Sequence, residues 1–304
     1  MEKFDIHILG CGSATPTTKH WPACQVLDIR GKLYMIDCGE GCQYNYRRRR
    51  LNFSRLRAVF ISHLHGDHCF GLPGLISSMS LLGRTGILEI YGPEGIREYM
   101  DSFMKLFGAR LAFEIEVHTI DCSTSRLVYE DPSVKISSLP LKHRIECAGF
   151  LVEEKSKSLH LDKESCDFFQ IPITAYKQIL RGEDFVTETG ETISNSRLTK
   201  KGCPPRKYAY CSDTAYRPAL APLIQEVTLL YHEATFRQSD LSRARETYHS
   251  TAAQAAMIAK EANVKRLLIG HYSARYPNEE GLLEEAKNIF PETIAAQENQ
   301  IIRL

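Results

Sequence analysis

The sequence predicts an α/β fold in which two mixed β-sheets pack face to face, helices flank both outer sides, and one arm protrudes. Three observations predict it. Short apolar runs separated by glycine-rich turns fall into two groups along the chain. Helical periodicity follows the strands of each group, and sheets that bury one face against each other and the other under helices settle into such layers. Between Glu153 and Lys207 the pattern stops and a long polar stretch intervenes.

In order, "FDIHILGCG", "ACQVLDIRG" and "KLYMIDCG" read as a strand meander. From Glu40, "EGCQYNYRRRRLNF" reads as an amphipathic helix, and "RAVFISH" as a buried strand ending in a histidine. "GLPGLISSMSLLG" is a helix that opens near a proline, and "ILEIYGP" followed by "EGIREYMDSFMKLFG" repeats strand and helix. "FEIEVHTI", "SRLVYE", "VKISSLPLKH" and "CAGFLVEE" return to strands. The second half offers "KYAYCSDT", "VTLLYHEAT", one long helical stretch "SRARETYHSTAAQAAMIAKEA", then "VKRLLIGHY", the helix "NEEGLLEEAKNIF" and a final strand "TIAAQENQIIRL". The chain is thus expected to form a single domain over residues 1–304 with an arm inserted at about 153–207. Rich in Lys, Thr, Ser and Gly and too long for a core connection, that segment is either a functional arm or a disordered excursion.

Composition narrows the class. Of 304 residues, 43% are hydrophobic and 25% charged, and 38 Lys and Arg nearly balance 37 Asp and Glu. A nucleic-acid partner therefore has to be met by a local basic patch. No secretory leader and no membrane-spanning run is legible, so no membrane partner is expected. Ten cysteines are scattered without paired CxxC elements and read as reduced thiols of a cytoplasmic protein. "CGEGC" is a weak zinc signal, and its glycines argue for a tight turn.

"SHLHGDH" crowds His63, His65, Asp67 and His68 into the end of a predicted strand. On a strand, residues two apart point the same way, so His63 and His65 converge, and Gly66 brings Asp67 and His68 back to the same rim. Imidazole and carboxylate donors suit zinc or another borderline divalent metal. So many ligands from so short a segment point to two adjacent ions. His143, Asp213 and His271 each end another predicted strand. If they converge, His63, His65 and His143 hold one ion, Asp67, His68 and His271 the other, and Asp213 bridges. Two ions about 3.5–4 Å apart suit phosphate-ester hydrolysis.

"SHLHGDH" resembles the HxHxDH signature of the metallo-β-lactamase superfamily. Together with "LGCGSATPT", "MIDCGEGCQ", "YCSDT", "YHEATF", "YHSTAAQAA" and "IGHYSARY", it resembles the ribonuclease Z family from about Leu9 to Tyr276. The resemblance implies the four-layer αβ/βα sandwich of the metallo-β-lactamase fold, and two Zn2+ per chain on His63, His65, His68, His143, Asp213 and His271, with Asp67 as ligand and proton acceptor. It implies that His249 of "YHST" stands by the scissile phosphate, oriented by Glu233 of "HEAT", and that Asp37 supports a metal histidine. His232 is left between a structural hydrogen bond and a site role.

The activity so implied is removal of the 3′ trailer of precursor tRNA by a cytoplasmic homodimer, cutting after the discriminator nucleotide to leave a tRNA 3′-hydroxyl and a trailer 5′-phosphate. A binuclear-zinc phosphodiesterase acting on small diesters or other RNA is the alternative. The 153–207 segment stands where the family carries a tRNA-gripping exosite but lacks its Gly-Pro pair. "ATPTTKHWPA" stands at a Pro-x-Lys-x-Arg-Asn loop but puts Trp21-Pro22 in place of Arg-Asn. The run Arg47 to Arg50 offers some cations for phosphates and some for solvent.

Overall fold

The computed structural model describes residues 2–107, 111–155, 159–202 and 204–304. It separates into two compact units, Met1–Glu153 with Arg206–Leu304, and Glu154–Pro205.

In the first unit, one seven-stranded sheet runs in the order β18 (Ile301–Arg303), β1 (Phe4–Gly10), β2 (Cys24–Ile29), β3 (Lys32–Ile36), β4 (Leu56–Phe60), β5 (Leu88–Gly92) and β6 (Ile115–Thr119). It is antiparallel from β18 to β3 and parallel from β3 to β6. The parallel half needs crossovers. These are α1 (Cys42–Arg48), the short α2 (Gly66–Cys69) with α3 (Leu72–Leu81), and α4 (Ile96–Phe107). The other seven-stranded sheet runs β17 (Thr293–Ala295), β16 (Leu267–Gly270), β15 (Leu229–Glu233), β14 (Lys207–Cys211), β9 (Ala148–Glu154), β8 (Val134–Pro140), β7 (Leu127–Glu130).

Side-chain alternation assigns the layers. Phe4, Ile6, Ile8, Tyr34 and Phe60 of the first sheet share a core with Ile136, Phe150, Tyr208 and Tyr210 of the second. The opposite phase, Leu9, Val26, Met35, Val59 and Ile90, packs under Tyr46, Leu75, Met79 and Met100 of α1, α3 and α4. The second sheet carries α9 (Ala252–Glu261) and α10 (Glu280–Lys287), which contribute Ala255, Ala256, Ile258 and Leu282 to the shared core. With both faces covered, β1 is buried along its whole length. Each such side chain contributes roughly 1.5–3 kcal/mol on burial.

The expected last strand is instead two, placed in opposite sheets. Asn299, at φ 65°, and the Gln300 N–H to Gln297 carbonyl bond turn the chain, so β17 ends the second sheet and β18 edges the first. Asparagine tolerates that left-handed backbone better than most residues.

The described residues of the second unit form strands and helices of their own. β10 (Leu159–Leu161) pairs with β13 (Thr199–Lys201), and β11 (Phe185–Val186) with β12 (Thr192–Ile193). With α5 (Lys163–Phe168), α6 (Tyr176–Ile179) and α7 (Asn195–Leu198) they enclose Cys166, Ile171, Ala175, Ile179, Ile193 and Leu198. The Asn195 side chain donates to the Ile179 and Glu183 carbonyls.

In the first unit the C-terminal ends of β3, β4, β14, β15 and β16 carry Asp37, Ser62–His68, Asp213, Glu233 and His271, the end of α/β strands where ligands generally bind.

Candidate metal centre

β4 stops at Phe60, so His63 and His65 do not alternate on a strand as the sequence suggests. The Ser62 backbone has other partners: its N–H donates to Asp37 Oδ1 at 2.8 Å and its carbonyl accepts from Ala148 N of the opposite sheet at 3.0 Å. The histidines converge through this bend, with His63 Nε2 3.0 Å from His65 Nδ1. Gly66 likewise opens α2 rather than a turn. A Cβ there would lie 2.4 Å from the Phe70 ring, and that contact explains the glycine.

Two groups of ligand atoms result. His63, His65, His143 and Asp213 form one, and Asp67, His68 and His271 the other, each with its atoms within 4.8 Å of one another. His143 Nε2 lies 3.2 Å from His65 Nδ1, and Asp213 Oδ2 lies 3.6 and 3.7 Å from His63 and His143 Nε2. In the second group Asp67 Oδ2 is 3.3 Å from His68 Nε2 and 3.4 Å from His271 Nε2. Asp213 turns its other oxygen, Oδ1, to this group, 3.5 Å from His68 and 3.1 Å from His271. A tetrahedral ion with ligands at about 2.0–2.2 Å separates them by roughly 3.3–3.6 Å, and the separations in the two groups, from 3.0 to 3.7 Å, straddle that range. His68 Nε2 and Asp213 Oδ1 are moreover buried without a hydrogen-bond partner. Such orphaned atoms are costly unless something binds them.

In His68, His143 and His271 the other nitrogen is tied back, which turns Nε2 toward the centre. His68 Nδ1 donates to Asp37 Oδ2 at 2.8 Å, His143 Nδ1 to the Tyr248 carbonyl at 3.0 Å, and His271 Nδ1 to Thr235 Oγ1 at 2.9 Å. Asp37 also accepts from Tyr210 Oη at 2.7 Å and Ser62 Oγ at 3.0 Å. It sits at φ 57°, followed by Gly39, whose Cβ would lie 2.6 Å from the Asp67 carbonyl.

Burial, then the neighbouring His68, His143 and His65, holds His63 well below the ordinary imidazole range, and burial likewise lowers His65 and His143. Neutral imidazoles are what a metal requires. For His68 burial acts downward, but Asp67, Asp213 and Asp37 outweigh it and hold a proton that a dication would displace. Burial acts to raise Asp67, yet His68 and His271 keep its carboxyl ionised, far below the usual range.

The long helix expected around "YHST" is broken. α8 (Leu241–Thr247) ends at Tyr248 with φ 58°, and α9 restarts from a Thr251–Gln254 capping box. The break presents His249, whose Nδ1 donates to Glu233 Oε1 at 2.8 Å. Glu233, fully buried, also accepts from Thr214 N at 2.9 Å and Thr235 Oγ1 at 2.6 Å. Burial disfavours the imidazolium, but Glu233 and then Asp213 outweigh it and raise His249 to about 9. Burial opposes the carboxylate in turn, and His249 overrides this to bring Glu233 down to about 2.

A cavity of about 310 Å3 opens on these groups, lined by His65, Asp67, His143, Asp213, His249 and His271. Arg144, Arg243 and Arg275 line it too, and nothing in the sequence reading singled them out. His232 is buried, donates from Nδ1 to the Glu233 carbonyl and joins none of the metal-capable groups among the described residues. Arg47 and Arg50 line a different surface cavity with Asn52 and Leu82. α1 stops at Arg48, short of the expected helix, so the arginine run wraps its end. Cys38 and Cys42 lie sulfur to sulfur at 3.2 Å without joining such a group; nine cysteines are free thiols, and Cys203 lies outside the described residues.

A family model described as anti-Pycsar protein Apyc1 matches residues 4–106. Ribonuclease Z of Porphyromonas gingivalis is 56% identical over 304 residues, all of both chains. Ribonuclease Z of Parabacteroides distasonis is 56% identical over 298 residues, 98% of each. Among solved structures, human tRNase Z, short form, superposes with TM-score 0.70 at 28% identity over 98% of each chain. The metallo-β-lactamase fold protein YhfI from Bacillus subtilis gives TM-score 0.70 at 18% identity over 100% of each.

Proposed function

The chain belongs to the ribonuclease Z family and has the metallo-β-lactamase fold, and from that premise we propose that it is an endoribonuclease that removes the 3′ trailer of precursor tRNA, cutting after the discriminator nucleotide. The tRNA keeps a 3′-hydroxyl and the trailer a 5′-phosphate. The observation that carries this reading is Asp213, whose two oxygens face two separate ligand groups. Such a bridge suits two ions working on one phosphate.

His63, His65 and His143 would hold one zinc ion and Asp67, His68 and His271 the other, with Asp213 placed beside both groups. When bound, the pair supplies an activated water near neutral pH and positive charge against the phosphoryl oxygens. Asp67 accepts the proton of the attacking water. His249 has Nδ1 committed to Glu233, so the proton it transfers to the leaving 3′-oxygen is the one on Nε2. Glu233 fixes the ring and favours its charged form.

The unit over Glu154–Pro205, with Lys163, Lys177, Arg181 and Lys200, serves as the tRNA-gripping arm. A homodimer is supported by exposed apolar side chains at the ends of α3 and α4, namely Leu81, Leu82, Leu106 and Phe107. Free thiols suit a reducing cytoplasm, and no described helix is long and apolar enough to cross a membrane.

Incubating zinc-loaded protein with a 3′-extended tRNA and mapping the product ends tests the reading. A folded, metal-replete chain that leaves the tRNA intact while hydrolysing a small phosphodiester would overturn it.

A further inference from the structure

The charges of the whole chain nearly cancel, so a polyanionic substrate has to find its cations locally. Around the catalytic cavity they are concentrated. Its lining includes Arg144, Arg243 and Arg275, and its only lining carboxylates among the described residues are Asp67 and Asp213, both committed to the metal groups. Beyond the ligands and His249, the charged side chains of the lining are therefore all arginines.

Two of these arginines are placed by the ligand loops themselves. Arg144 directly follows His143, a ligand of the first group, and Arg275 stands four residues after His271, a ligand of the second. Asp213 lies between the groups, so the two arginines reach the same cavity from loops that carry ligands of different groups. Arg144 is exposed and has no hydrogen-bond or ion-pair partner among the described residues. Arg275 is braced. Its Nη1 donates to Asp240 at 3.0 Å, its Nε to Ser273 Oγ at 3.3 Å, and its guanidinium lies 4.8 Å over the Phe236 ring. Asp240 is itself engaged by Tyr276 Oη at 2.6 Å, and bracing of this kind leaves the guanidinium less orientational entropy to lose on meeting a phosphate. Arg243, paired with Glu246 at 3.3 Å on its own helix, is the less available of the three.

We propose that Arg144 and Arg275 bind the phosphates flanking the scissile one, one on each side, and that this pair rather than the metal centre makes the site select a polynucleotide over a small phosphodiester. The proposal rests on the RNA-cleaving reading above. A small diester has no flanking phosphates, so it gains nothing from either arginine.

The test compares the zinc-loaded wild type, Arg144→Ala, Arg275→Ala and Arg275→Lys on a 3′-extended tRNA and on bis(4-nitrophenyl) phosphate, at several salt concentrations. Each alanine variant is expected to lower kcat/KM on the tRNA about tenfold, mainly through KM, and to reduce the slope of log kcat/KM against log salt by about 0.7–1. The small diester should be hydrolysed within about twofold of wild type. Arg275→Lys should restore the salt slope but only part of the affinity, because an ammonium cannot make the bidentate contact. A neutral methylphosphonate at the flanking position should weaken cleavage by the wild type and not by the matching alanine variant. Unchanged salt slopes and KM in Arg144→Ala and Arg275→Ala, or equal losses on both substrates, would overturn the assignment. If the wild type cleaves only the small diester, the RNA reading itself falls, an outcome distinct from variants that cleave tRNA as well as wild type does.

Discussion

Glu233→Gln isolates the role of a buried carboxylate with little change in shape. In the wild type Glu233 holds His249 at about 9 against an ordinary 6.5, a gap worth about 3 kcal/mol in favour of the imidazolium. A neutral amide removes the larger of the two carboxylate influences, and burial then draws His249 to its ordinary value or below. If the imidazolium protonates the leaving oxygen, activity follows its population. With limbs near 9 and 6.5, that population falls about fourfold at pH 7 and about thirtyfold at pH 8. Bound dications lower both limbs, so the separation between them is the quantity to measure. Single-turnover cleavage of a 3′-extended tRNA between pH 6 and 9, with zinc content checked, gives it directly. Thermal melting controls for the contacts with Thr214 and Thr235 that Gln disturbs. A loss of constant size across that range, or no loss, would refute the assignment of His249 as the acid.

Asp67→Asn should retain most of the bound zinc, measured by elemental analysis, and lose at least about a hundredfold in cleavage, the range for removing a proton acceptor; full activity would make Asp67 scaffolding only. His20 bridges Glu298 at 3.0 Å and Glu279 at 2.7 Å. Its hydrogen bond to Glu298 raises its pKa, and His20 in turn overcomes burial to lower that of Glu298. The raised histidine stabilises below its unfolded 6.5 and stops doing so as pH rises through its folded value; the lowered carboxyl stabilises above 4.5 and stops as pH falls through its own. His20→Ala should therefore cost most between about pH 4.5 and 6.5, read as urea midpoints at pH 5.5 and 8.5, and an equal cost at both would count against the ion pairs. Ile179→Ala, at a fully buried site of the small unit, should cost about 2–5 kcal/mol. Limited proteolysis should then cut within 154–205 before the first unit; simultaneous digestion of both would contradict independent cores.

The two strand groups, the helices and the cluster His63, His65, Asp67 and His68 were legible because they depend on local periodicity and dense ligand spacing. What escaped depends on partners far away in the chain. Nothing near Ser62 signals that Asp37 and Ala148 take its backbone and end β4 early. Tyr248 at positive φ breaks a stretch whose composition is uniformly helical, and only the Thr251–Gln254 pair hinted at a restart. The switch of β18 to the opposite sheet is invisible in "TIAAQENQIIRL", although "QEN" carries the turn. Arg144 and Arg275 sit on loops, which have no period to read. The small unit buries only scattered residues such as Cys166, Ile171 and Leu198, too sparse a pattern to distinguish from a disordered excursion.

Tyr210 of one sheet and Ser62 of the other donate to the same Asp37 carboxylate, and Ser62 Oγ lies 3.2 Å across from Ser212 Oγ, from which it can accept. The two sheets therefore cannot slide past each other without stripping Asp37 of a partner and rotating His68 with it. The spacing between the two ligand groups is set by the relative register of the whole sandwich. A substitution deep between the sheets, at Phe60 or Phe150 for instance, can thus alter the distance between the two ligand groups while touching no ligand.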